Sequence, residues 1–140
     1  MLIVKKSGLM GAGKGLFTTS PIRKGDKVVE YKGEKMTWDQ CKKRYGMKID
    51  LAAYLYYVSY KNCIDARDTP NELARYANDA NGYTKVKGLK NNSEYDNFDG
   101  VPYIVATKNI PAGSEIYVNY EDEYWDALKE GNKEREKKKK

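Results

Sequence analysis

Turn signals cut this chain into short extended-type segments, and that punctuation limits its fold more than any other feature. Residues 2–6 read as a strand, and residues 7–15, with four glycines, as a loop. Residues 16–19 return to extended character before the turn Pro21-Ile22-Arg23-Lys24-Gly25. Residues 26–33, with paired valines and Tyr31, are strand-like. Residues 51–66 are rich in Tyr, Val and Ile and form one or two strands, broken near Lys61-Asn62. Strands are further expected at 84–86, 103–107 and 115–120, with a polar loop at 91–100 and a turn at Pro111-Ala112-Gly113.

Helical signals are few. Thr37-Trp38-Asp39-Gln40 has capping-box spacing, which predicts a helix to about Tyr45 that stops at Gly46. Thr69-Pro70-Asn71-Glu72 offers a second box with Pro at the first helical position, opening a turn or two that delivers Arg75 to Asn78. After Glu121 the composition turns acidic and then helical. Many short strands with scattered turns argue for a mainly β domain with short helices. There is no internal repeat.

Composition bounds the function. The 140 residues suffice for one domain with a real core. The longest apolar-leaning runs, such as 52–58, are too short to span a bilayer. Met1-Leu2-Ile3-Val4 followed by Lys5-Lys6 lacks the pattern of a secretory signal, so an intracellular location is expected. Two cysteines, Cys41 and Cys63, and no histidine make a four-ligand zinc site of the usual kind a poor fit; free thiols are favoured over a disulfide. The net charge of +6 is uneven, because residues 129–140 hold seven Lys/Arg against three Glu. The division expected is therefore a domain over 1–128 and a basic, flexible tail over 129–140. That tail could contact nucleic acid or chromatin, but it reads equally as a solvated terminus.

Three short motifs carry chemistry. Gly13-Lys14-Gly15 lacks the spacing of a dinucleotide fingerprint or a P-loop; its use would be close backbone approach to a ligand. Alone it is a structural turn. Arg75-Tyr76-Ala77-Asn78-Asp79 alone is a capping element. Gly113-Ser114-Glu115-Ile116-Tyr117-Val118-Asn119-Tyr120 alone is a strand whose tyrosine packs in the core.

In this order and at these separations the three resemble the signature motifs of the SET domain, the fold of many protein lysine methyltransferases. The likeness runs from about Val4 to Trp125 and includes Leu16-Phe17, Ile22-x-Lys24-Gly25 and Glu30-Tyr31-x-Gly33-Glu34. It implies a SET-domain (β-clip) fold with a knot-like C-terminal threading that brings Asn78 near Tyr120. It has two departures. Ser114 replaces the first of two acids, and Asp79 stands where the family usually has His. The family contact at that second position is main-chain, so Asp79 could still make it, although a buried unpaired carboxylate would be costly.

The resemblance implies S-adenosyl-L-methionine as cofactor. Ala12, Gly13 and Lys14 would meet its methionine end, Arg75 and Asn78 the same region, Asp79 the adenine through its backbone, and Tyr54 would contact it. Trp125 would cover the adenine or close the lysine channel, and it reads equally as a core or interface tryptophan. Tyr120 matches the tyrosine treated as catalytic. Tyr31, Tyr56 and Val118 would line the substrate-lysine channel, Val118 leaving more room for a methylated amine than the family's usual Phe or Tyr. The aromatic faces would attract an ammonium or methylammonium by about 0.5–2 kcal/mol.

The implied activity is methyl transfer to a lysine of a protein or peptide, a histone tail being one candidate, with no zinc and no membrane partner. The oligomeric state stays open. Three other readings also remain open: an inactive SET-like peptide-binding module, a basic nucleic-acid binder, and a viral or bacterial structural protein.

Overall fold

The computed structural model describes residues 1–9, 11–46, 54–80 and 90–119. The strand expected at 84–86, the start of the 51–66 segment, Tyr120, Trp125, the helix after Glu121 and the tail at 129–140 lie outside these residues. The described residues form two compact units, residues 1–31 with 73–119 and residues 32–72. Strands prevail in both, with one short α-helix, and among the described residues no helix is long and apolar enough to cross a membrane.

In the first unit β1 (Leu2–Lys6) and β2 (Lys14–Thr18) form an antiparallel hairpin in which Lys5 faces Gly15 and Lys6 faces Lys14. The strand thus begins two residues before the expected 16. Gly15 enters it because the pairing needs only its backbone, and no side chain would fit there, as described below. β3 (Lys27–Glu30), β7 (Ser93–Phe98), β8 (Val101–Ala106) and β9 (Val118–Asn119) make a four-stranded sheet in the order β3-β8-β7-β9, antiparallel except for the β7–β9 pair. Buried residues of this unit include Leu16, Ile104, Ile110, Ile116 and Val118. Each such side chain contributes about 1.5–3 kcal/mol when fully removed from water.

The expected loop at 91–100 is a correction: residues 93–98 are β7. Its outward side chains are polar because that face meets solvent, so composition alone suggested a loop. The overlooked signal is Asp99-Gly100. Phe98 pairs with Val101, and both intervening residues have positive φ, 52° and 80°, as a two-residue hairpin turn matched to strand twist requires.

In the second unit β4 (Glu34–Met36), β6 (Asn62–Asp65) and β5 (Leu55–Ser59) form an antiparallel sheet in the order β4-β6-β5. The break near Lys61-Asn62 is the turn between β5 and β6. Helix α1 (Trp38–Tyr45) keeps the predicted bounds. Thr37 Oγ1 accepts from Gln40 N–H at 3.2 Å, and Gln40 Oε1 accepts from Thr37 N–H at 2.9 Å. Removing such a cap costs about 1 kcal/mol. Asp39 in the first turn and Lys42, Lys43 and Arg44 in the last suit the helix dipole, and Gly46 at φ 58° ends it. Trp38 and Cys41 bury against Met36, Tyr57, Tyr60 and Cys63. Arg44 joins Glu34 (2.9 Å) to the buried Asp65 (3.0 Å), which also accepts from Tyr45 OH at 2.6 Å.

The second capping box does not act as one. Residues 69–72 spend their first bonds on two tight turns, Thr69 N–H to Ala66 O and Glu72 N–H to Thr69 O, and Thr69 Oγ1 caps nothing. The helical turn starts later, as one turn of 3-10 helix over Ala74–Tyr76, with Leu73 before it. It still leads into Asn78.

Candidate cofactor site

The backbone after the 3-10 turn is extended at Ala77, and this carries Asn78 into the interior, where it is 7% exposed. Its side-chain amide donates to Lys14 O at 3.0 Å and, at 3.4 Å, to Glu115 Oε2. Its carbonyl accepts from Val118 N–H at 2.8 Å, and it bridges in parallel with Tyr117. One residue therefore touches all three motifs.

The last motif does not form the continuous strand expected at 115–120. Residues 113–116 run beside β2, with Gly113 N–H to Thr18 O, Thr18 N–H to Ser114 O and Ile116 N–H to Leu16 O. Tyr117 and Val118 then pair with Asn78, and β9 moves onto β7. Three partners within seven residues break the ladder into bridges.

Glu115 lies at the centre of this arrangement and is 5% exposed. Its carboxylate accepts from Ser7 Oγ (2.6 Å), Gly8 N–H (2.8 Å), the Asn78 amide (3.4 Å) and Tyr117 OH (3.1 Å). Burying a carboxylate is tolerable only with such donors. A Cβ on Gly15 would collide with this carboxylate, so glycine is required there. Burial, then the negative charge of Glu115 and the hydrogen bond to it, push the Tyr117 hydroxyl up to about 12.

The loop between β1 and β2 closes through Ser7 N–H to Gly13 O at 2.8 Å. Gly11 and Gly13 adopt left-handed φ of 83° and 72°, with open space where a Cβ would sit. Ala12 is half-buried, while Gly13 and Lys14 are exposed. Backbone N–H and C=O groups along this loop can therefore be approached closely by a ligand.

Asp79 is 1% exposed and partnered: Asn91 Nδ2 donates to its Oδ1 at 2.9 Å, while Asn91 Oδ1 accepts from Ala80 N–H at 2.8 Å. Asn92 does the same for the last motif, donating to Glu115 O and accepting from Tyr117 N–H, each at 2.9 Å. Ser7, Asn91, Asn92, Glu115 and Tyr117 are thus structural members of the site that sequence reading gave no role. For Asn91 and Asn92 the local signal was the run Asn91-Asn92-Ser93, dense in side-chain donors and acceptors, while Glu115 and Tyr117 stood within the third motif.

Of the other expected site residues, Arg75 is half-buried with its guanidinium 5.0 Å from the Tyr76 ring centre. Tyr31 is buried, edge-on to Tyr95 at 5.8 Å. Val118 is fully buried. Tyr54 and Tyr56 belong to the second unit, Tyr54 just before β5 and Tyr56 within it, opposite Ile64. Tyr120 and Trp125 lie outside the described residues, and with them the expected threading and the approach of Tyr120 to Asn78.

Comparison with known proteins gives a consistent result. The SET domain family model matches residues 13–121. The N-lysine methyltransferase KMT5A of Xenopus tropicalis is 30% identical over 130 residues, covering 85% of this chain and 36% of that protein. KMT5A-A of Danio rerio is 31% identical over 123 residues, with coverage of 80% and 33%. The chain thus spans about a third of the length of these curated relatives. Among solved structures, a chain of apo ctPRC2 carrying a mutated Ezh2 superposes with a TM-score of 0.68 at 27% identity, over 92% of this chain and 16% of that one. With three ordered motifs joined at Asn78 and a family match across most of its length, the chain belongs to the SET domain family.

Proposed function

We propose that this chain is a protein-lysine N-methyltransferase using S-adenosyl-L-methionine. The observation that carries the reading is the junction at Asn78, where its amide meets the glycine loop and its backbone meets the final motif. The residues present fit the cofactor: Gly11 and Gly13 leave open space beside exposed backbone, and the Asn78 amide holds the next residue, Lys14, by its carbonyl. The relatives named as N-lysine and histone-lysine methyltransferases support the same assignment.

When bound, the cofactor supplies an electrophilic methyl group on a sulfonium. Ala12, Gly13 and Lys14 would hold its methionine end through the backbone, with Arg75 and Asn78 beside them; Asp79 would meet the adenine by its main chain, and Tyr54 and Trp125 would cover the site. Tyr31, Tyr56 and Val118 would line the lysine channel. A lysine ammonium with an ordinary pKa near ~10.4 must lose a proton first, and desolvation in an aromatic channel favours the neutral amine. No histidine base is needed. Tyr120 would orient that amine toward the methyl carbon, and alignment at about 3–3.5 Å supplies most of the rate gain. The substrate class is a protein lysine, with a histone tail as the first candidate.

The test is methyl transfer to histones and to lysate proteins, paired with calorimetric titration of S-adenosylmethionine. Labelling by wild type and its loss in Tyr120→Phe support the assignment. Equal labelling by both removes Tyr120 from the mechanism, and absence of cofactor binding makes the chain a peptide-binding SET-like module.

A further inference from the structure

We propose that Glu115 is the positioning residue of the cofactor cradle. Its carboxylate pins Ser7 and Gly8 at the base of the glycine loop and, through the Asn78 amide, the motif that faces that loop. The inference rests on the reading of the loop and Asn78 as the cofactor cradle given above.

Three observations carry it. Glu115 is 5% exposed, and the donors on it come from three separate stretches of chain: Ser7 and Gly8, Asn78, and Tyr117. Ser7 relays the constraint, because its Oγ donates to Glu115 and accepts from Leu9 N–H at 3.0 Å, while its N–H closes the loop on Gly13 O. Gly15, at the other end of the loop, packs so closely on the carboxylate that no Cβ fits. Both ends of the loop therefore take their position from one side chain. An amide cannot replace it. A glutamine has one acceptor oxygen, and its NH2 would face donors already pointing inward.

A loop with left-handed glycines at 11 and 13 has large conformational freedom when untethered. Ordering it on binding would subtract from affinity, and a preformed loop avoids that loss. The expected defect of a Glu115 variant is thus in cofactor affinity, not in the chemical step.

Wild type, Glu115→Gln and Ser7→Ala are compared by calorimetric titration with S-adenosylmethionine and its demethylated product S-adenosylhomocysteine, with folding checked by circular dichroism and the Gly8 amide followed by nitrogen-edited NMR. Glu115→Gln is expected to weaken both ligands alike by about tenfold, the order of one lost charge-assisted hydrogen bond. The Gly8 amide resonance should shift, and the cofactor KM should rise while turnover at saturating cofactor is largely recovered. Ser7→Ala, which keeps the carboxylate, should weaken both ligands by about threefold, and it decides the matter if Glu115→Gln does not fold. Unchanged affinity in a folded variant overturns the inference. So does loss confined to the methylated, cationic ligand, since that marks charge and not position. A wild type that binds neither ligand overturns the inference together with the reading beneath it.

Discussion

The side-chain amide of Asn78 donates to the carbonyl of Lys14 at 3.0 Å across 64 positions of sequence, with Glu115 Oε2 at 3.4 Å from the same nitrogen. Asn78→Ala removes both bonds and should lower stability by about 1–2 kcal/mol. Asn78→Asp should cost more, because it sets a second carboxylate against a buried one, and part of the loss should be recovered in mild acid as one carboxyl takes a proton. Urea melts at pH 7 and pH 5 measure this. A stable Asn78→Asp at neutral pH would refute the described packing.

Two glycines should respond to alanine in opposite ways. At Gly33 a Cβ would sit 2.6 Å from Asp65 O and 2.9 Å from Ala66 Cα, atoms of backbone that cannot swing aside. Gly33→Ala should therefore cost about 1–3 kcal/mol by overpacking. Gly13→Ala meets open space and pays only for its positive φ, about 1 kcal/mol. Its larger effect should be on S-adenosylmethionine affinity. Thermal melts paired with titrations separate the two, and equal cofactor loss in both would contradict the assignment of Gly13.

Cys41 and Cys63 are both fully buried. In native protein neither thiol should react with a thiol reagent on the timescale of minutes, and both should react in denaturant. Rapid native titration of either would show that the α1–β6 contact opens readily.

Tyr45 and Tyr117 both have hydroxyls pushed up to about 12 from an ordinary value of 10.0. Burial comes first in each case, then the hydrogen bond and charge of Asp65 for Tyr45, and the charge and hydrogen bond of Glu115 for Tyr117. The folded state then holds these protons where the unfolded chain has released them. Their contribution to stability is complete below pH 10 and is lost as pH rises toward 12. Denaturant melts between pH 9 and 12 should show wild type falling more steeply than Tyr117→Phe or Tyr45→Phe; parallel curves would deny the shift.

Local signals were the legible ones. Thr37, Gln40 and Gly46 fix α1 through contacts within a few residues, so the sequence displays them together. β7 was opaque because Glu94, Asp96 and Asn97 face solvent, and only the turn pair Asp99-Gly100 betrays the hairpin. The motifs named Asn78 and its neighbourhood. They could not show that Glu115 is held by Ser7, or Asp79 by Asn91, because a buried carboxylate is made tolerable by donors that the fold brings from elsewhere in the chain. The cost foreseen for an unpaired Asp79 therefore does not arise.

The bond from Ser7 Oγ to Glu115 spans 108 positions. A ribosome releases the glycine loop early and its anchor late. Until that anchor is made, Ser7 and Gly8 have no acceptor, and Asn78 waits for the strand that will pair with it. Contacts this distant in sequence slow folding and prolong the exposure of unpaired edges. The nascent domain should acquire affinity for its ligand in one late step, when residues 115–119 clear the exit tunnel. A truncation series stalled on either side of that point would bind in an all-or-none pattern.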